Sequence, residues 1–164
     1  MIHIVRATIE DLKIIQSIAH LTWQDTFRKI LSQAQIDYML LSFYDLPHLQ
    51  EQNRKGHIFL LADESGGKLG FTGFEMNQEP EKTKIHKIYI LPTAQGKGIG
   101  KKLIQAIKEI ALENGQTSIL LNVNKYNEGA INFYEYMGFI NIKSEIIDIG
   151  NGYVMDDFVF ELKI

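Results

Sequence analysis

Residues Gln95-Gly96-Lys97-Gly98-Ile99-Gly100 carry the clearest chemical signal in this chain of 164 residues. They follow an apolar, strand-like run (Ile85 to Leu91) and Pro92, and they open an amphipathic helix. Three glycines within five residues allow positive φ and let a ligand reach the main chain without meeting Cβ atoms. The start of a helix adds unpaired N–H groups and the positive end of the dipole, a ready site for an anion. Lys97, Lys101 and Lys102 crowd this junction, and the next acidic residue is Glu109. Cations there oppose the dipole unless an anion joins them. The expected ligand is therefore a phosphate.

The spacing excludes two common phosphate loops. Gly100-Lys101 is followed by Lys102 where the Walker pattern needs Ser or Thr, and after Gly96 and Gly98 the third glycine comes one residue too early for a dinucleotide loop. It matches Q/R-x-x-G-x-G/A, and so resembles the pyrophosphate loop of the GNAT superfamily of acyl-CoA-dependent N-acetyltransferases. A second segment, Asn122 to Phe139, resembles that family's N-x-x-A-x-x-F-Y-x-x-x-G-F through Asn127, Ala130, Phe133, Tyr134, Gly138 and Phe139. Physically, Asn127 is a good N-cap and Gly138 a good residue just past a helix end, bounding about ten residues of helix. Asn127, Ala130, Ile131 and Tyr134 share one face by their spacing. Phe133 and Met137 line the neighbouring stripe, the expected packing surface.

Composition narrows the classes. The length suits one domain, 1–164, with a sizeable core. Hydrophobic content of 45% and charged content of 23% fit a water-soluble protein. A net charge of −3 argues against nucleic acid as a partner, where a basic surface supplies most of the affinity. With no cysteine, thiol catalysis and disulfides are excluded. No apolar run approaches 18 residues and the first residues lack a signal-peptide core, so no membrane partner and a cytoplasmic location are expected.

The elements that must position these residues follow from periodicity and punctuation. Residues 2–6 read as strand, and Thr8 caps a helix to about Thr22. Ser32 to Tyr44 is helical, and Pro47 begins a short helix ending near Lys55-Gly56. His57 to Glu64 and Lys68 to Met76 are strands around a turn at Ser65-Gly66-Gly67. Asn77 to Lys82 reads as a polar loop, and Thr83 to Leu91 as strand. The glycine-loop helix spans about Gly98 to Asn114. Ser118 to Val123 is strand, the Asn127 helix follows, and Phe139 to Asp148 pairs with Tyr153 to Leu162 around Gly150-Asn151-Gly152. With the short Pro47 helix left out, the order β-α-α-β-β-β-α-β-α-β-β is that of the family. The resemblance thus implies an α/β (α+β) GNAT fold: one mixed, mostly antiparallel sheet of about seven strands with helices on both faces. It also implies that the sheet splays between the glycine-loop strand and the strand after it.

Acetyl transfer to an amine passes through a tetrahedral intermediate. It needs a held thioester, an oxyanion donor, a base for an ammonium and a proton for the leaving thiolate. The resemblance implies acetyl-CoA as cosubstrate, with no metal, its pyrophosphate on the backbone of Gln95, Gly96, Lys97, Gly98, Ile99, Gly100 and Lys101. The backbone of Ile88, Tyr89 and Ile90 would pair with the pantetheine arm like an added strand. Asn127 would contact CoA, and Tyr134 would protonate the departing thiolate. Many relatives carry a glutamate at the position of Lys84, and this chain departs there. His86, two residues on, and Glu75 on the preceding strand are the alternative bases.

The acceptor end says less. The segment from His20 to Phe27, together with His86-Lys87-Ile88-Tyr89, resembles PaiA-type polyamine acetyltransferases. Trp23 and Phe27 are packing residues or a substrate wall, and Asp25 is a candidate for holding a cationic amine. A small amine or polyamine is the first expected acceptor and a peptide N-terminus of the RimI type the second, with a homodimer left open. A non-catalytic acetyl-CoA sensor is the reading from another class, and Tyr134 argues against it because a pure binder needs no proton donor.

Overall fold

The computed structural model describes residues 1–164. Along the chain lie β1 (Ile2–Arg6), α1 (Leu12–Phe27), α2 (Gln33–Phe43), α3 (Leu46–Arg54), β2 (Ile58–Glu64), β3 (Gly67–Glu79) and β4 (Lys82–Ile90). Then come α4 (Ile99–Glu113), β5 (Ser118–Asn124), α5 (Glu128–Tyr136), β6 (Ile140–Gly150) and β7 (Tyr153–Lys163). The strands form one seven-stranded sheet in the order β1-β2-β3-β4-β5-β7-β6. Every neighbouring pair is antiparallel except β4 and β5. That parallel pair matches only Lys82–Ile85 with Ser118–Leu121, after which the strands part. The expected splay lies there. No helix is long and apolar enough to cross a membrane.

Alternation along the strands builds two cores. Ile58, Leu60 and Phe74 join Ile99, Leu103, Ile104 and Ile107 of α4 on one face, with Tyr134 of α5. Phe59, Leu61 and Phe71 join Leu12, Ile15, Trp23 and Phe27 of α1 on the other, with residues of α2 and α3. The caps are local: the Ser32 hydroxyl accepts from the Gln35 N–H at 3.1 Å, and Asp45 accepts from the His48 N–H at 3.1 Å. Helix α1 runs five residues past Thr22, because Trp23 and Phe27 extend its buried stripe.

Two departures from the sequence reading matter. Asn77 to Glu79 belong to β3, leaving Pro80-Glu81 as the turn where a six-residue loop was expected. The cause is distant in sequence: Gln116, buried after α4, accepts from the Asn77 N–H and donates to the Asn77 side chain, both at 2.9 Å. The strands also carry irregularities. Between Ala62 and Asp63 the β2–β3 register slips by one residue, and between Gly73 and Phe74 the β3–β4 ladder skips His86. The second is a bulge, stabilised where the buried Thr72 hydroxyl donates to the Lys87 carbonyl at 2.7 Å. It turns two consecutive side chains the same way: His86 bonds to Glu75, and Lys87 donates to Gln52 of α3.

Candidate active site

Where β4 and β5 part, a cleft of about 770 Å³ runs from the glycine loop, past Asn127 and Tyr134, to His86 and the end of α1. Gly96 and Gly98 hold φ of +83° and +75°. The first loop-to-helix bond is from the Lys102 N–H to the Gly98 carbonyl at 3.1 Å, so the six N–H groups from Gly96 to Lys101 have no partner in the chain. Six free donors at a helix start, with Lys101 and Lys102 unpaired beside them, fit a pyrophosphate. Lys97 does have a partner, Glu64 of β2 at 3.5 Å, which the local sequence gave no reason to expect. Gly100 has a different role, since a Cβ there would lie 2.9 Å from the Phe133 ring. It lets α4 and α5 approach.

The β4 side of the cleft is held rigidly. Ile88 and Ile90 pack toward the α4 core. The Tyr89 ring points the other way, among Trp23, Phe71, Tyr44 and Phe27 at 5.8, 6.0, 6.4 and 6.5 Å between centroids. Beyond Ile85 the backbone edge that faces β5 is unpaired. On α5, Tyr134 and not the Phe133–Met137 stripe is the buried residue, 7% exposed. Phe139 and Phe160 fix its ring at 5.7 and 6.4 Å, and its hydroxyl has no partner within the chain. Burial raises its pKa above the ordinary value, so it keeps its proton across the neutral range. Asn127 caps α5 by accepting from the Ala130 N–H at 3.3 Å and also lines the cleft.

At the far end, His86 and Glu75 are one unit: His86 Nε2 lies 2.8 Å from Glu75 Oε1. Sequence reasoning missed a third member. The His57 ring stacks on His86, with centroids 4.9 Å apart and planes at 9°, and its Nε2 lies 3.4 Å from the other Glu75 oxygen. Lost solvation lowers His86 to about 4 although 29% of its side chain is still exposed, the bond to Glu75 opposing, and burial lowers His57 as well. Both rings are neutral at pH 7. Lys84 donates to Asn122, whose amide donates to Glu145 at 3.1 Å and Asp157 at 3.2 Å. Burial lowers Lys84 and raises Asp157. The position that departs from the family pattern is thus tied into a fixed polar network.

Asp25 is exposed at the mouth of the cleft and Phe27 forms part of its wall. Trp23 lies outside it, 4% exposed and packed on Phe27 at 4.5 Å. Trp23→Ala is therefore expected to cost about 3–5 kcal/mol of folding stability through the cavity it leaves. A fall in denaturant midpoint at constant m-value is the check.

The comparisons agree with this geometry. Residues 15–139 match the model of the Acetyltransferase (GNAT) family. A spermidine N(1)-acetyltransferase of Thermoplasma acidophilum is 27% identical over 160 residues, covering 94% of this chain and 96% of that protein. An uncharacterized N-acetyltransferase, MJ1207 of Methanocaldococcus jannaschii, is 34% identical over 86 residues, covering 49% of this chain and only 38% of that protein. Among solved structures, the PaiA N-acetyltransferase of Thermoplasma acidophilum in complex with coenzyme A superposes with a TM-score of 0.85 at 24% identity, covering 100% of this chain and 99% of that one. With a family match over most of its length, the chain belongs to the acetyltransferase (GNAT) family and is an N-acetyltransferase.

Proposed function

We propose that this enzyme acetylates a primary amine of a small molecule, a polyamine in the first instance, by direct attack within a ternary complex. The observation that carries the reading is that one cleft joins the free loop N–H groups, Tyr134 and a histidine backed by a carboxylate. Support for the polyamine comes from the spermidine N(1)-acetyltransferase matched along 94% of the chain. The exposed Asp25 at the cleft mouth suits a second cationic centre of such an acceptor. With no cysteine present, a thiol acyl-enzyme has no nucleophile.

Bound acetyl-CoA supplies an acetyl thioester; the chain supplies positions and protons. The N–H groups of Gly96 to Lys101 hold the pyrophosphate, and the open edge of Ile88 to Ile90 aligns the pantetheine. In the tautomer with Nε2–H donated to Glu75, His86 keeps its Nδ1 lone pair free to take the ammonium proton. The imidazolium then formed lies against the Glu75 carboxylate. Tyr134, held neutral by burial and lining the same cleft, is the donor to the leaving thiolate.

The depressed histidine alters the pH profile expected from an ordinary imidazole. Because His86 is already neutral above about pH 5, kcat/KM of the wild type should stay nearly level from pH 6 to 8.5, with its acid inflection near 4. His86→Ala should leave only free amine to react, so that kcat/KM climbs about tenfold per pH unit over the same range. A parallel profile for the two proteins would remove His86 from the mechanism. If Glu75→Gln alone gave the steep profile, Glu75 would be the base. Free-thiol release against a panel of polyamines, amino acids and N-terminal peptides tests the acceptor class. Turnover confined to the peptides would replace the polyamine reading.

A further inference from the structure

We propose that His57, Glu75 and His86 form a binding site for a divalent transition cation of borderline softness, Zn²⁺ being the type case, at the acceptor end of the cleft. One ligand atom from each of the three residues lies within 4.8 Å of the others. Donors around a tetrahedral zinc, with bonds of about 2.0–2.1 Å, lie roughly 3.3 Å apart. The contraction required is small, and Glu75, with 30% of its side chain exposed on a strand surface, is free to supply it by rotation. Two imidazoles and one carboxylate leave a coordination position open for water, the donor set that suits Zn²⁺, Ni²⁺ or Co²⁺ and is poorly matched to Mg²⁺ or Ca²⁺.

The frame is rigid. His57 immediately precedes β2, Glu75 lies on β3 and His86 in the bulge of β4, so three adjacent strands fix the three side chains. The two rings stack at 9°, so their in-plane lone pairs run side by side, and one ring must turn out of the stack before both nitrogens meet one cation. A metal on His57 Nε2 puts that ring's proton on Nδ1, which is buried without a partner, and this weakens binding. Lys87 and Lys55 raise the local positive potential and work against a dication. Micromolar affinity is therefore expected, well short of a structural zinc site.

Acetyl transfer does not require this cation. It competes for the Nε2 and carboxylate atoms that join His86 to Glu75, so it would act as a reversible inhibitor. That consequence rests on the assignment of His86 as base, whereas binding itself does not.

The test uses the full chain, stripped with a chelator and titrated with ZnCl₂ by calorimetry in the absence of acetyl-CoA and amine. A parallel titration with CoCl₂ follows visible absorption. One Zn²⁺ per chain at micromolar Kd is expected, with Co²⁺ bands of low coordination number. His57→Phe, which keeps a ring against His86, and Glu75→Gln should each weaken binding at least tenfold while circular dichroism stays that of the wild type. No heat up to millimolar Zn²⁺, or wild-type affinity retained in both variants, would overturn the site. Should His57→Phe fail to fold, the surface substitution Glu75→Gln decides alone. Zn²⁺ that binds as expected yet leaves turnover untouched would uphold the site and remove His86 from the mechanism.

Discussion

Gly98→Asp is expected to weaken acetyl-CoA binding by about 10³-fold while the protein remains folded. Gly98 is the N-cap of α4 at φ +75°, and nothing lies within 4 Å of a Cβ built there. Aspartate is a favoured N-cap, and among residues with a Cβ it is one of those that tolerate the left-handed region best. The variant should therefore fold and cap its own helix. Its carboxylate would take the N–H groups that the pyrophosphate needs, and one added charge about 4 Å from a phosphate costs about 4 kcal/mol at an effective dielectric of 20. Gly98→Ala, with strain and no charge, should lose far less. Calorimetry giving near wild-type affinity for the aspartate variant would refute the loop assignment. Gly100→Asp is a poorer test, because its Cβ collides with Phe133 and any loss would mix binding with packing.

The second large effect belongs to Tyr134→Phe, which should lower kcat by roughly 10²-fold with little change in acetyl-CoA affinity. The ring is fixed by Phe139 and Phe160, and phenylalanine preserves those contacts. Since the hydroxyl bonds to nothing in the chain, its removal leaves no orphaned partner. Stability should hold or rise slightly, which separates a lost proton donor from a damaged core. Full turnover in the variant would make Tyr134 a packing residue only.

The parts of the site that were legible in the sequence are those set by local backbone demands. The glycine loop announces itself because positive φ at Gly96 and Gly98 and a helix start have no other economical residue choice. Asn127 and Gly138 mark the Tyr134 helix for the same reason. His57 was hidden by a register slip. Counting back from the Ser65-Gly66 turn without the irregularity at Ala62 places His57 opposite Phe74; with it, His57 meets Glu75. A bulge has no reliable signature in one sequence, so Glu75 and His86 were read as rivals when they are partners. The strand from Asn77 to Glu79 was missed because its support, Gln116, lies 39 residues away. Trp23 and Phe27 share a helical stripe, and only the end of α1 decides that one is enclosed and the other reaches the cleft.

The four-residue joint between β4 and β5 gives the molecule a seam with its own dynamics. Amides of β4 past Ile85 that turn toward β5 have no strand to shield them, whereas those turned toward β3 are ladder-bonded. Deuterium uptake should thus alternate along one strand, fast and slow, residue by residue. An extended ligand lying in the gap supplies the missing acceptors, so the fast set should slow on saturation while the slow set barely changes. At a hundredfold excess over Kd that ligand adds about 2.7 kcal/mol to global stability. The enzyme would then be stiffest while loaded and loosest between turnovers, with the difference confined to one line through the middle of its sheet.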